Sequence, residues 1–374
     1  MADTVQVRDY LNEKVIRSFG IRLHAVWPAF DVNAFTGLIL PHLPDWSFSE
    51  RVQGISRALE RVLPADFPKA VSILLKALPE PMPGSGEGEG MAHFIVAPQT
   101  AFISRCGQEH VDLSLEALKE MTRRFTAEWD LRLFFEKDPE RIRTTLFTWA
   151  RDPDQHVRRL VSEGTRPYVP WGKKLTVVEQ YPELTLDLLE RLKNDPEEYV
   201  RRSVANHLND LSKKHPERVV RTLKRWARED PGPAMDKLVK HALRSLIKMG
   251  HPGALRLLGY APGGEVEIRQ FKIEPKTIHF GDALEFSFEL VSTSPKPQSL
   301  VVDYIVYFRK ANGTNSPKVF KLKTLTLGAE EVSQIRKKHT IRPITTRVYY
   351  PGQHQLGVQV NGVEIAKASF TLTM

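Results

Sequence analysis

The sequence predicts a mainly α-helical chain that closes in an all-β domain: a stack of paired helices followed by a β-sandwich. Three observations carry this. A Pro-Glu to Asp-Pro phrase recurs at Pro139–Asp152, Pro182–Asp195 and Pro216–Asp230, spanning 13, 13 and 14 residues. Apolar residues keep helical spacing as far as Leu258. Beyond Gly259-Tyr260-Ala261-Pro262-Gly263-Gly264 the apolar period changes to alternation.

The 374 residues suffice for two or three domains with their own cores. Hydrophobic residues make up 41% and charged residues 26%, the balance of a globular protein. Lys and Arg total 54 against 45 acidic residues, a formal charge of +9 that suits a polyanionic partner. Cys106 is the one cysteine, which excludes an intrachain disulfide and a cysteine-built zinc site and fits a reducing cytosol. Met1-Ala2-Asp3-Thr4 lacks the basic and apolar regions of a signal peptide, and no apolar run approaches the ~18 residues of a membrane span. The expectation is a soluble, cytoplasmic protein with no membrane partner.

Residues 1–78 read as helices, with Val5, Tyr10, Leu11, Val15, Ile16 and Phe19 opening the periodic pattern and prolines marking the connections. The Pro79–Gly90 segment reads as a flexible loop. Its glycines neither follow a strand nor lead into a GK[ST] sequence, so a phosphate-cradling loop is not expected there. Further helices are expected through Val111–Phe125 and Ala127–Arg132.

In the recurrent region each unit is a helix, an Asp-Pro turn, and a second helix with basic residues: Val157-Arg158-Arg159, Val200-Arg201-Arg202 and Val239-Lys240-His241. Successive Asp-Pro steps lie 43 and 35 residues apart. A period near 40 with paired helices is the signature of a HEAT-like solenoid. The second helices are expected to line its concave face, which strings Arg158, Arg159, Arg201, Arg202, Lys240 and Arg244 along one groove. Such a row suits backbone phosphates, whose neutralisation releases condensed counterions. The same aspartates and arginines equally suit a structural role, capping helices and bridging repeats.

The stretch from Asp152 to Lys174 organises the chain. Asp152 can cap a helix and Pro153 suits the first helical position. The helix carries Arg158, Arg159, Ser162 and Glu163, leaves through Gly164 and Pro167, and presents Trp171, Lys173 and Lys174. Arginine, carboxylate and indole together suit a phosphate backbone and a cationic base. Trp129, Trp149 and Trp226 fall at core spacing and are expected to pack between helices. Glu163 is also spaced to pair with Arg159 at i, i+4, and Asp152 and Asp154 are further acidic candidates that capping explains as well.

In the last third, Leu284–Leu290 alternates cleanly and Val302–Phe308 with some slippage. Val319–Leu327, Glu331–Ile341, His354–Val360 and Ile365–Leu372 follow, with turn signals at Ala311-Asn312-Gly313 and Val360-Asn361-Gly362. About seven strands suggest an immunoglobulin-like sandwich without its cysteine pair. The expected organisation is a helical-repeat domain at 1–258, a linker at 259–265 and a sandwich at 266–374.

Ala127-Glu128-Trp129-Asp130-Leu131-Arg132, His156–Pro167 and Pro170-Trp171-Gly172 resemble the HEAT-like-repeat alkylpurine DNA glycosylases, in particular the AlkC branch, whose members carry a C-terminal immunoglobulin-like domain. The resemblance runs over nearly the full length. It implies base excision repair: hydrolysis of the N-glycosidic bond of cationic N3-methylated bases, chiefly 3-methyladenine with 3-methylcytosine as a second substrate, in duplex DNA without base flipping. It assigns catalytic roles to Glu128, Glu163, Trp171 and Arg159, with Glu128 and Glu163 as the carboxylates. Arg158, Arg166, Lys173, Lys174, Arg201, Arg202, Lys240 and Arg244 are the candidate DNA-binding residues. It implies a monomer that acts on double-stranded DNA containing alkylated bases in the bacterial cytosol or nucleoid.

The twelve histidines show no HExxH or other ligand spacing, so neither a metal nor any other cofactor is expected. No Ser/His/Asp arrangement is present, and no helix-hairpin-helix lysine motif, which points to a monofunctional enzyme. The rival class is a non-catalytic HEAT-repeat scaffold or a damage-sensing DNA-binding protein. Convergence of Glu128, Glu163 and Trp171 would favour the enzyme.

Overall fold

The computed structural model describes residues 6–82, 84, 90–344 and 347–374. Positions 83 and 85–89 of the glycine-rich loop lie outside the described residues. The helices are α1 (Glu13–Val26), α2 (Val32–Gly37), α3 (Phe48–Val62), α4 (Phe67–Lys76), α5 (Val96–Cys106), α6 (Val111–Thr122), α7 (Glu128–Lys137) and α8 (Pro139–Trp149). They continue as α9 (Gln155–Glu163), α10 (Thr176–Gln180), α11 (Glu183–Leu192), α12 (Glu198–Leu211), α13 (Pro216–Glu229), α14 (Pro233–Ala242), α15 (Arg244–Lys248) and α16 (Pro252–Leu257). None is long and apolar enough to cross a membrane.

Short polar side chains set many of these starts. Asn12, Asp31, Ser47, Asp66, Asp138 and Asp154 each accept a backbone N–H of the first turn, satisfying donors that have no partner within the helix. At α9 this corrects the sequence reading. The cap is Asp154, whose Oδ1 accepts from the N–H groups of His156 and Val157, and Pro153 precedes the helix.

Asp152 instead accepts the Asp154 N–H at 2.9 Å, as Asp195 accepts the Glu197 N–H at 2.9 Å. Arg158 folds back onto the carbonyls of Asp152 and Pro153, both at 2.9 Å. Arg201 does the same to the carbonyls of Asp195 and Pro196. The recurrent Asp-Pro-x-x-x-Val-Arg phrase is therefore a turn closed by its own arginine.

Contacts divide the chain into two compact units, Met1–Lys214 with Gly232–Ala242, and His215–Pro231 with Leu243–Met374. In the first, α8 lies on α9, α9 packs against α12, and α12 packs against α14. Val157, Leu160 and Val161 of α9 and Val200, Val204 and Leu208 of α12 are fully buried, the apolar stripe expected of stacked helices. The last repeat differs from the sequence expectation. Its second helix stops at Ala242, and Arg244 opens α15 in the second unit.

The second unit holds α13, α15, α16 and eight strands: β1 (Val266–Glu274), β2 (Thr277–His279), β3 (Ala283–Ser292), β4 (Gln298–Arg309), β5 (Asn315–Leu327), β6 (Val332–Thr340), β7 (Gly352–Val360) and β8 (Val363–Thr373). They form a three-stranded sheet, β1-β3-β6, and a five-stranded sheet, β2-β8-β7-β4-β5. Among the described residues only the short β2, which sequence alternation could not reveal in three residues, pairs in parallel, with β8. Phe286, Phe288 and Leu290 from one sheet and Tyr304, Val306, Leu356, Val358 and Phe370 from the other fill one core. Asn361 and Gly362, both at positive φ, make the β7–β8 turn. Gly362 also meets the α15–α16 turn so closely that a Cβ on it would lie 1.9 Å from Gly250 Cα.

Candidate active site

Three of the candidate catalytic residues come together at the start of α7 and the end of α9. Arg159 and Glu163 are four residues apart on α9, so they share a helix face. The Arg159 guanidinium lies 3.3 Å from Glu128 Oε2 and 3.6 Å from Glu163 Oε1. Tyr199 of α12 places its ring 4.9 Å below the same guanidinium. Glu128 and Glu163 are 6% and 4% exposed, so their charges are compensated by protein groups rather than water.

The two carboxylates differ in what holds them. Glu163 receives the Arg166 guanidinium and, at 2.6 Å, the Ser203 hydroxyl. Arg166 is itself pinned to Asp210 at 2.8 Å. Burial works against the Glu163 anion, but Arg159, Arg166 and Ser203 outweigh it and hold its carboxyl below the usual range. Among the described residues, Glu128 has Arg159 and the Thr126 hydroxyl, at 2.8 Å, as its close partners. There burial prevails, and the nearby Glu163 charge adds to it, so Glu128 is pushed above the usual range. Environments that move two carboxylates in opposite directions separate their roles as acid, base and fixed anion.

Trp171 stands apart on the Gly164–Leu175 connection. It is 71% exposed and adopts φ +60°, a left-handed backbone that a bulky residue rarely takes and that costs on the order of 1–3 kcal/mol. Its ring lies 5.6 Å from Phe48 and 6.2 Å from Trp129. Trp129 is half-buried and hydrogen-bonds Pro170 O through its indole N–H at 3.0 Å, so it is not the helix-packing residue expected; Trp149 and Trp226 are. Phe48, Phe94, Phe125, Trp129 and Trp171 form a continuous aromatic group. Helix α7 links the two halves of the site, since Glu128 and Trp129 are consecutive.

The basic candidates sort by their partners. Arg158 is held bidentately by Asp195, at 2.6 and 3.0 Å, besides its turn carbonyls. Arg166 is buried between Glu163 and Asp210. These two brace the fold. Arg202 is exposed and lies 3.6 Å from Glu198, Lys173 and Lys240 are exposed, Arg201 is half-buried in its turn, and Lys174 pairs with Glu179 at 2.5 Å. Arg202 and Lys237 flank a cleft of 110 Å³ between α12 and α14, floored by Ala205, Ala234 and Leu238. Arg244 belongs to the second unit. Asp152 binds Lys119 at 2.9 Å, and Asp154 caps α9.

Sequence reasoning missed Tyr199, Ser203 and Asp210, which only the stacking of α12 on α9 brings to the carboxylates. It also missed Phe48, which arrives from α3 with no local signal. Among the described residues, no group of three or more His, Cys, Asp or Glu side chains is placed to hold a metal ion.

The model of the DNA alkylation repair enzyme family matches residues 115–244, which contain the whole carboxylate cluster. Residues 267–374 match the C-terminal Ig-like domain of uncharacterised protein YhaZ. Uncharacterized protein YhaZ of Bacillus subtilis (strain 168) is 33% identical over 363 residues, 97% of each chain. Pseudomonas fluorescens alkylpurine DNA glycosylase AlkC, solved bound to DNA containing an abasic site analog, is 36% identical and superposes with a TM-score of 0.91 over 99% of this chain and 100% of that one.

Proposed function

The chain belongs to the DNA alkylation repair enzyme family, and from that premise we propose that this DNA glycosylase hydrolyses the N-glycosidic bond of cationic N3-methylated bases. Its substrates are 3-methyladenine and 3-methylcytosine in duplex DNA, and it acts as a monofunctional, monomeric enzyme of the cytosol. The observation that carries the reading is the single Arg159 guanidinium set between two buried carboxylates.

An N3-methylated purine already carries positive charge. It departs with the electron pair of the C1′–N bond as a neutral base, without prior protonation, and leaves an oxocarbenium-like sugar. Glu163, kept ionised by Arg166 and Ser203, supplies the fixed negative charge that this transition state favours. Glu128, the more basic carboxylate, orients the attacking water and takes its proton as the oxygen bonds to C1′. Arg159 holds a lesion-flanking phosphate, and Trp171 offers its exposed π face to the cationic base or sugar, an interaction of about 0.5–2 kcal/mol. Presentation of Trp171 on a loop supports contact with the lesion in the groove, without flipping the base into a pocket. Lys173, Lys174, Arg201, Arg202 and Lys240 supply the phosphate track, on a helical domain at 1–258 that a linker at 259–265 separates from the sandwich at 266–374.

The test is release of free methylated base from methylated duplex DNA by the wild type, Glu128→Gln and Glu163→Gln. Release by the wild type and its loss in Glu128→Gln with DNA binding retained supports the reading. Salt-sensitive binding with no release by the wild type would leave a non-catalytic damage sensor.

A further inference from the structure

Arg132 lies one turn beyond Glu128 on α7, is 3% exposed, and takes no part in the chemistry above. Its guanidinium donates to carbonyl oxygens rather than to carboxylates. Nε and Nη2 reach Lys173 O at 3.0 and 2.5 Å, Nη1 reaches Arg166 O at 2.5 Å and Gly164 O at 3.5 Å, and Nη2 reaches Pro167 O at 3.3 Å. Those carbonyls bracket the loop that carries Trp171. Trp129 adds the bond to Pro170 O, at the residue directly before Trp171. Gly172, directly after it, is packed so tightly that a Cβ would lie 2.3 Å from Val169 Cγ2 and 3.1 Å from Trp129 Cδ1.

We infer that Arg132, with Trp129, is a positioning residue that fixes the left-handed Trp171 loop against α7, so that Glu128 and Trp171 address one lesion as a rigid pair. The inference rests on the glycosylase reading above for its catalytic consequence. Three features support it. The left-handed backbone at Trp171 needs its surroundings to impose it. A buried guanidinium without a carboxylate partner is costly to place, and here its planar set of donors is matched to a curved run of carbonyls. Lysine cannot reproduce that fork, because its ammonium is a point charge with three donors. The Arg132 pKa is lowered to about 10 by burial, so it remains a cation at neutral pH.

The experiment compares the wild-type protein, Arg132→Lys, Trp171→Ala and the double variant for single-turnover release of methylated base and for affinity toward an abasic-site duplex. Arg132→Lys should slow release roughly 10- to 100-fold, the effect of a small misplacement, with affinity little changed. In the Trp171→Ala background the same change should have no further effect, because the two act through one element. An equal loss in both backgrounds, or none in either, overturns the inference. Fluorescence anisotropy of Trp171, taken by difference from Trp171→Phe, should fall in Arg132→Lys; an unchanged value overturns it. That arm holds even if the wild type releases no base, which would sink the proposed function alone. Should Arg132→Lys not fold, Trp129→Phe, which keeps a ring and loses the Pro170 bond, must show the same pattern.

Discussion

Glu128 and Glu163, 35 residues apart in sequence, face one guanidinium: Arg159 lies 3.3 Å from the first and 3.6 Å from the second. Neither carboxylate can lose that cation without affecting the other, yet their remaining partners differ, and the difference gives each substitution a distinct signature.

Glu128→Gln removes the more basic carboxylate while keeping an acceptor for Thr126. Single-turnover release is expected to fall about 10²–10³-fold, with duplex affinity retained. Because burial raises Glu128, the wild-type rate should decline with falling pH at a higher pH than an ordinary carboxylate would give, and a pH–rate profile checks this.

Arg158 and Arg202, one from each arginine doublet, should separate stability from binding. Arg158→Ala strands the buried Asp195 and is expected to cost about 3–5 kcal/mol in a denaturant melt. Arg202→Ala, at an exposed site, should leave the melt nearly unmoved and reduce the salt slope of DNA binding by about 1.

Asp130 is buried, and its carboxyl is pushed up to about 6, against hydrogen bonds from Ser104 and Thr100. Its folded value lies above its unfolded one, so the proton it holds stabilises the fold at low pH. That contribution is lost as pH rises through about 6. Asp130→Asn should therefore raise the melting temperature at pH 8, removing about 3 kcal/mol of penalty, and flatten the stability profile between about pH 4 and 6.

Trp171→Gly relieves the left-handed backbone and deletes the exposed indole. Stability within about 1 kcal/mol of wild type, measured by thermal melt, is expected alongside a clear loss of base release.

The doubled arginines were visible in the sequence; what each does was not. Arg158 and Arg201 close their own Asp-Pro turns, while Arg159 turns to the buried carboxylates and Arg202 lies at the surface near Glu198. Helical spacing alone could not divide them, because adjacent residues on one helix diverge only when a neighbouring helix supplies their partners. The sandwich could be read from alternation, apart from the three-residue β2. The start of α9 was misplaced because Asp152 and Asp154 are both good caps and only backbone geometry chooses between them. The aromatic group next to Trp171 joins α3, α7 and a loop, and its members share no sequence pattern.

The Asp152-Pro153 and Asp195-Pro196 turns are each closed by an arginine from their own repeat. Arg158 also grips Asp195 of the following repeat, so a unit that duplication added or deletion removed would have to renew that bond with its new neighbour. Every copy would bring a second arginine beside the first, and the length of DNA covered would then change in fixed steps rather than gradually.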